Sequence, residues 1–202
     1  SIGVSPIAVI QRFRATGISP FAAASLNPAN FTDRGTDWSA GGGVRVGYLG
    51  QFGDVLNVGA FYQSKIWAGK FDKYAGLFAQ GGGFDVPASY GAGIAIKPSA
   101  ALTLAADVKR IEYSDIQSVG NPLSNLFTGK PLGAENGPGF GWRDITAWKV
   151  GVTYVASDKW TLRTGYGHSG NPVPGSETLF NILAPGVVSH HLTAGATYTT
   201  AS

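Results

Sequence analysis

Hydrophobic and polar residues alternate with a period of two along most of this chain. In the stretch 147–154, Trp148, Val150, Val152 and Tyr154 share one face of an extended backbone, and Lys149, Gly151 and Thr153 share the other. Successive side chains of a strand point to opposite sides, so this period predicts β-structure. The same pattern returns in 160–166 and 190–198, after a short break at Ala156–Lys159 and a longer one at 169–187. Upstream, strands are expected over Val4–Phe13 (poorly alternating), Ala40–Leu49, Val55–Trp67, Phe84–Ile96 and Leu102–Tyr113. In all, about eight strands are expected.

Two irregularities matter. In the stretch 102–113 the apolar positions slip from even (Leu102, Leu104, Ala106, Val108) to odd (Ile111, Tyr113). A β-bulge near Lys109–Arg110 would account for the slip. The connections, moreover, alternate in length. Those near 50–54, 97–100 and 156–159 are short; those near 14–37, 68–83, 114–140 and 169–187 are long. In an up-and-down meander every second connection lies on the same rim. All short turns then fall on one side and all long loops on the other, which is the layout of an outer-membrane barrel.

Alternation does not by itself say which face meets water. A soluble barrel or sandwich would turn the apolar face inward; a membrane barrel turns it outward. Three features favour the membrane. The polar face is rich in Gly and Thr rather than Lys and Glu. Aromatics gather at strand ends (Trp67, Trp142, Trp148, Tyr154, Trp160, Tyr198) as interfacial girdles do. The long loops carry apolar residues such as Phe71, Phe78, Phe127, Phe180 and Leu183. Composition agrees: only 13% of the 202 residues are charged, against roughly 25% in soluble domains. No apolar run reaches the ~18 residues of a membrane-crossing helix, but a membrane strand needs only about 9–11. There is no Cys, which excludes disulfides and thiol chemistry. A scattered net charge of +3 gives no nucleic-acid footprint.

The last sixty or so residues carry a more specific likeness. Gly141-Trp142-Arg143-Asp144, Trp148-Lys149-Val150-Gly151, Trp160 to Tyr166, Asn171-Pro172-Val173-Pro174, Phe180 to Val187 and His190-His191-Leu192-Thr193-Ala194-Gly195 together resemble the outer-membrane long-chain fatty acid transport family (FadL/TodX type). Asp107 to Ile116 and, more loosely, Gln11-Arg12-Phe13 are similar too. The resemblance implies an all-β, antiparallel up-and-down transmembrane barrel of fourteen strands in the bacterial outer membrane. It implies a full-length monomer, surrounded by outer-membrane lipids, that takes up hydrophobic molecules passively, long-chain fatty acids foremost. It implies no cofactor. By this comparison residues 1–202 are one partial barrel domain of about eight strands. The family's N-terminal hatch, its laterally opening strand and its last strands are expected to lie outside it. A soluble barrel or sandwich that binds small apolar ligands is the other reading.

A pathway for a fatty acid needs apolar surface and a cation to hold the head. The polar face offers Arg45, Lys65, Lys109, Lys149 and Arg163. Each could instead belong to a structural network with Asp85 or Asp107. Phe71, Phe78, Phe127 and Leu183 could form an outer collecting surface, or could pack the loops over the barrel mouth. No catalytic group is expected: Ser176, Glu177 and His168 match no local triad signature. No metal site is expected either, since His190 and His191 are strand neighbours pointing to opposite faces. Gly41–Gly43 and Gly81–Gly83 lack the Lys of a phosphate loop.

Overall fold

The alternating stretches do become strands. The computed structural model describes residues 1–182 and 184–200. Its strands are β1 (Ile2–Phe13), β2 (Asp37–Phe52), β3 (Leu56–Gln63), β4 (Trp67–Ala68), β5 (Ser89–Ser99), β6 (Leu102–Ile111), β7 (Ile145–Val155), β8 (Trp160–Ser169) and β9 (His190–Tyr198). They form one antiparallel sheet in the order β1-β2-β3-β5-β6-β7-β8-β9, with the two-residue β4 paired to β2. This is the meander expected from the connection lengths. Among the described residues β1 and β9 are not partners, so the sheet is open along both. No described helix is long and apolar enough to cross a membrane.

The pairing across the eight long strands obeys one rule, save where Ser99 meets Leu102 at the β5–β6 turn: even residues face even residues. Val46 stands opposite Tyr62, Tyr62 opposite Tyr90, Val108 opposite Trp148, and Trp148 opposite His168. Residue parity therefore names the face of the sheet. The even face is apolar and outward, with Val46, Tyr62, Ile94, Val150 and Leu162 all exposed. The odd face carries Gly, Ser, Thr, Asn, Gln and most of the charges. Since large aliphatic and aromatic side chains cover most of the even face, it needs an apolar solvent.

The buried residues lie mainly off the sheet. Phe31, Phe71, Tyr74, Phe78, Ile116, Val119 and Leu132 all lie in the connections between strands, Tyr74 and Val119 in short helical turns within them. Phe13, at the end of β1, enters the same cluster, 4.9 Å from the Tyr74 ring and 4.7 Å from the Phe78 ring, both edge-on. The Tyr74 hydroxyl donates to the Gly35 carbonyl (2.6 Å) and accepts from the Ala15 N–H (3.0 Å). Backbone bonds then tie loop to loop. Leu26 N–H donates to Leu132 O (2.8 Å), Gln80 N–H to Ala134 O (2.9 Å), and Arg143 N–H to Pro172 O (2.8 Å). The long loops thus make a packed cap on one rim, while the other rim has only tight turns.

Three expectations change. No bulge occurs at Lys109–Arg110: β6 pairs without interruption from Leu104 to Ile111 with β5, and along its whole length with β7. Ile111 is simply an apolar residue on the odd face, opposite Ile145. Besides the shift between Ile96 and Ser99 at the β5–β6 turn, a bulge lies on another strand. Gln63 pairs with Arg45, but Trp67 pairs with Gly42, so one extra residue enters between them. That bulge at 64–66 flips parity, places Trp67 on the outward face, and turns Ile66 inward beside Gly43. It also ends β3 earlier than the expected Trp67. Finally, β5 begins at Ser89 rather than Phe84, because Phe84 is drawn into the loop cluster against Phe78 (4.9 Å).

Candidate functional site

The odd face of the sheet is the lumen side of the wall, and its charges define the candidate site. Two shallow depressions adjoin there and share Ala105 and Asp107. One, of about 530 Å³, is lined by Asn57, Phe61, Asp107 and Lys109. The other, of about 460 Å³, is lined by Asp107, Lys149, Thr153, Arg163 and Thr193. Three of the expected cations, Lys109, Lys149 and Arg163, are therefore brought along one strip of wall by β6, β7 and β8.

Their geometry differs residue by residue. Lys149 stands opposite Asp107 across the β6–β7 pair. Arg163 donates to the Thr197 hydroxyl (2.7 Å). Arg45 donates to Gln63 Oε1 (2.6 Å), and its guanidinium lies 5.4 Å from the Phe61 ring. Among the described residues, none of Arg45, Lys109, Lys149 and Arg163 has a carboxylate within ion-pair distance. Lys65 does: its ammonium is 3.2 Å from Asp85, and it sits 5.9 Å from the Trp67 ring at the loop-side bulge. It thus takes the structural-network alternative and leaves the lumen row.

The loop aromatics also separate. Phe71 and Phe78 are buried and pack the cap, whereas Phe127 is 81% exposed. Leu183 lies outside the described residues. His190 and His191 point to opposite faces, His190 outward with Nδ1 2.6 Å from the Tyr166 hydroxyl. No group of three or more potential metal ligands occurs among the described residues.

Sequence reasoning missed the role of the lumen glycines. Lys109 faces Gly91, Asp107 faces Gly93, Lys149 faces Gly167, and Arg163 faces Gly195. Long side chains can then lie flat along the wall instead of filling the lumen. A Cβ at Gly167 would come within 3.2 Å of Lys149 Cγ. At Gly91 the fit is tighter: a Cβ would meet the Val108 carbonyl oxygen at 2.5 Å and Phe61 at 2.9 Å. Gly91→Val is expected to destabilise the barrel by about 1–3 kcal/mol through overpacking. The urea midpoint of the full-length protein in lipid vesicles measures this, and an unchanged midpoint would show that the wall can yield there.

Residues 17–202 match the family described as outer membrane protein transport protein (OMPP1/FadL/TodX). The chain belongs to the OMPP1/FadL/TodX family. The place of this family is the bacterial outer membrane, and its fold is the antiparallel β-barrel of which these strands form part. Among solved FadL/TodX-type structures, the Pseudomonas putida toluene transporter TodX is 19% identical, with a TM-score of 0.61, covering 98% of this chain and 56% of that one. A TodX mutant described as a monoaromatic hydrocarbon channel is 21% identical (TM-score 0.56; 81% and 42% covered). The CymD monoaromatic hydrocarbon channel is 18% identical (TM-score 0.55; 99% and 60%). The chain thus spans about half the length of these relatives. No curated protein sequence matches it.

Proposed function

We propose that this chain forms part of the wall of a monomeric outer-membrane channel through which hydrophobic molecules pass passively, long-chain fatty acids before neutral hydrocarbons. The observation that supports it is the charge on the odd face. Arg45, Lys109, Lys149 and Arg163 stand there, with Asp107 the acidic group among them. A neutral aromatic hydrocarbon has no use for these cations. A carboxylate head moving along the wall would find successive partners, each with free N–H donors, and apolar Phe61 beside the first of them.

Entry from outside would pass the loop cap, where Phe127 and the exposed Phe21, Leu26, Leu179 and Ile182 offer apolar contacts. The second reading, transport of neutral aromatic hydrocarbons, is favoured by the names of the structural relatives.

The two readings separate on one double variant. In vesicles carrying the full-length protein, Lys149→Gln with Arg163→Gln is expected to reduce saturable uptake of oleate about tenfold, the scale of lost hydrogen bonds to a charged group. Uptake of toluene should be unchanged. Equal loss of both substrates, or loss of neither, would remove the carboxylate from the proposal.

A further inference from the structure

The even face holds a second pattern that the transport reading does not use. On the eight long strands this face is apolar, aromatic or small almost throughout. Its only charged or imidazole side chains are Arg12, Arg110, His168 and His190. All four stand at the loop-side ends of their strands: Arg12 before Phe13, Arg110 before Ile111, His168 before Ser169, and His190 at the start of β9. The turn-side end of the same face has none, and carries Phe52, Leu56, Tyr154, Trp160 and Tyr198 instead. One rim of the lipid face is basic and the other is not.

The basic rim is best formed around Arg110. This residue is aligned across the sheet with Tyr62, Tyr90 and Thr146. Its guanidinium donates to Asp144 Oδ2 (3.2 Å) and Thr146 Oγ1 (3.3 Å). Asp144 is in turn held by the Ser114 N–H (3.0 Å) and hydroxyl (2.8 Å). Partial burial pushes the Asp144 carboxyl up, but the Ser114 hydrogen bonds and Arg110 outweigh it and keep it below the usual carboxylate range. Asp144 is thus a fixed anchor that orients Arg110 and leaves its remaining N–H groups free. An open cavity of about 880 Å³ adjoins, lined by Arg110, Ser114, Ser124, Trp142, Arg143 and Glu177 among others. Glu177 is buried and accepts from the Leu123 N–H (3.1 Å). Arg143 is exposed, and among the described residues its side chain has no hydrogen-bond or ion-pair partner.

We propose that Arg110 and Arg143 bind the phosphate of a phosphorylated glycolipid of the outer leaflet. The height is right: long loops are extracellular, so this rim lies at the outer headgroup level. The chemistry is right, because guanidinium groups grip phosphate oxygens in pairs. The side of the wall is decisive. Arg110 belongs to the lipid face, away from the lumen cations, so an anion bound here is a neighbour in the bilayer rather than a passing substrate. Basic pockets at membrane interfaces recognise headgroups in this way. The inference rests on the assignment of the even face to lipid, and not on which molecule crosses the lumen.

The test uses the full-length protein in detergent micelles and native mass spectrometry. Bis-phosphorylated lipid A is offered beside the same lipid with its phosphates removed. Wild type is expected to prefer the phosphorylated form about tenfold or more. Arg143→Gln, at an exposed residue without side-chain partners, should fold normally and lose most of that preference. Arg110→Gln with Arg143→Gln should lose it all, and Arg143→Lys should recover part. Millimolar inorganic phosphate should leave the bound lipid in place. Equal binding of both lipids by wild type, or an undiminished preference in Arg143→Gln, would overturn the site. Displacement by inorganic phosphate would make it a free-anion site, and displacement by oleate a substrate site; either result also overturns the proposal.

Discussion

Val150→Arg in the full-length protein is expected to cost about 2–4 kcal/mol of stability, the depth-dependent cost of an arginine facing the bilayer midplane. Val150 is the middle residue of β7, stands opposite Ala106 and Tyr166, and is 46% exposed. In a soluble protein an exposed valine would accept arginine with little effect. Here the exposure is to hydrocarbon, so the substitution puts a charge where no water reaches. Its neighbour gives the control. Lys149→Gln, on the lumen face, should change stability little. The measurement is the urea midpoint of protein refolded into lipid vesicles. Equal costs at 149 and 150 would refute the assignment of faces on which the transport reading depends.

Tyr74→Ala should cost about 3–5 kcal/mol, but in a different place. Tyr74 is fully buried, touches Phe13 edge-on, and bonds to Gly35 and Ala15. Its loss empties the centre of the loop cap and orphans an N–H and a carbonyl. The strands are held by their own ladders, so the expected outcome is a melted cap on an intact wall. Limited proteolysis should cut the loops 14–36 and 64–88 within minutes while the barrel keeps its heat-modifiable mobility in gels. Tyr74→Phe keeps the packing and should lie between the two. Loops that stay protease-resistant in Tyr74→Ala would show that the cap does not depend on this cluster.

The wall was legible in the sequence because alternation maps directly onto faces. Spacing alone put Trp148, Val150, Val152 and Tyr154 on one face, the Gly- and Thr-rich opposite face and the aromatic strand ends turned that face outward, and the sorted loop lengths gave the meander. Alternation put Lys65 with the lumen cations, and the bulge at 64–66 that moves it and Ile66 off that pattern has no compositional mark. The apparent slip at Ile111 pointed to the wrong strand, since an apolar residue on a lumen face near the rim looks the same as a change of register. Phe71 and Phe78 read equally well as surface or as packing; only the approach of Phe13 from β1 distinguishes them. The glycines opposite Lys109, Lys149 and Arg163 were visible as residues, but their meaning depends on cross-strand register, and register is a property of pairs.

The parity rule has a consequence for how such a chain reaches its destination. Apolar side chains that cover one continuous face of the sheet form only short runs along the chain. Most are followed by a glycine, a small or polar residue, or a charge, and the longest strand run, Ile7 to Ile10, is four residues. An export channel that retains long oily segments meets none here, and a chaperone in water has only scattered side chains to shield. The oily surface comes into being when the strands align, and it is sheltered once lipid is there to receive it. Delivery and insertion are thereby separated by the same two-residue rhythm that divides the lumen from the bilayer.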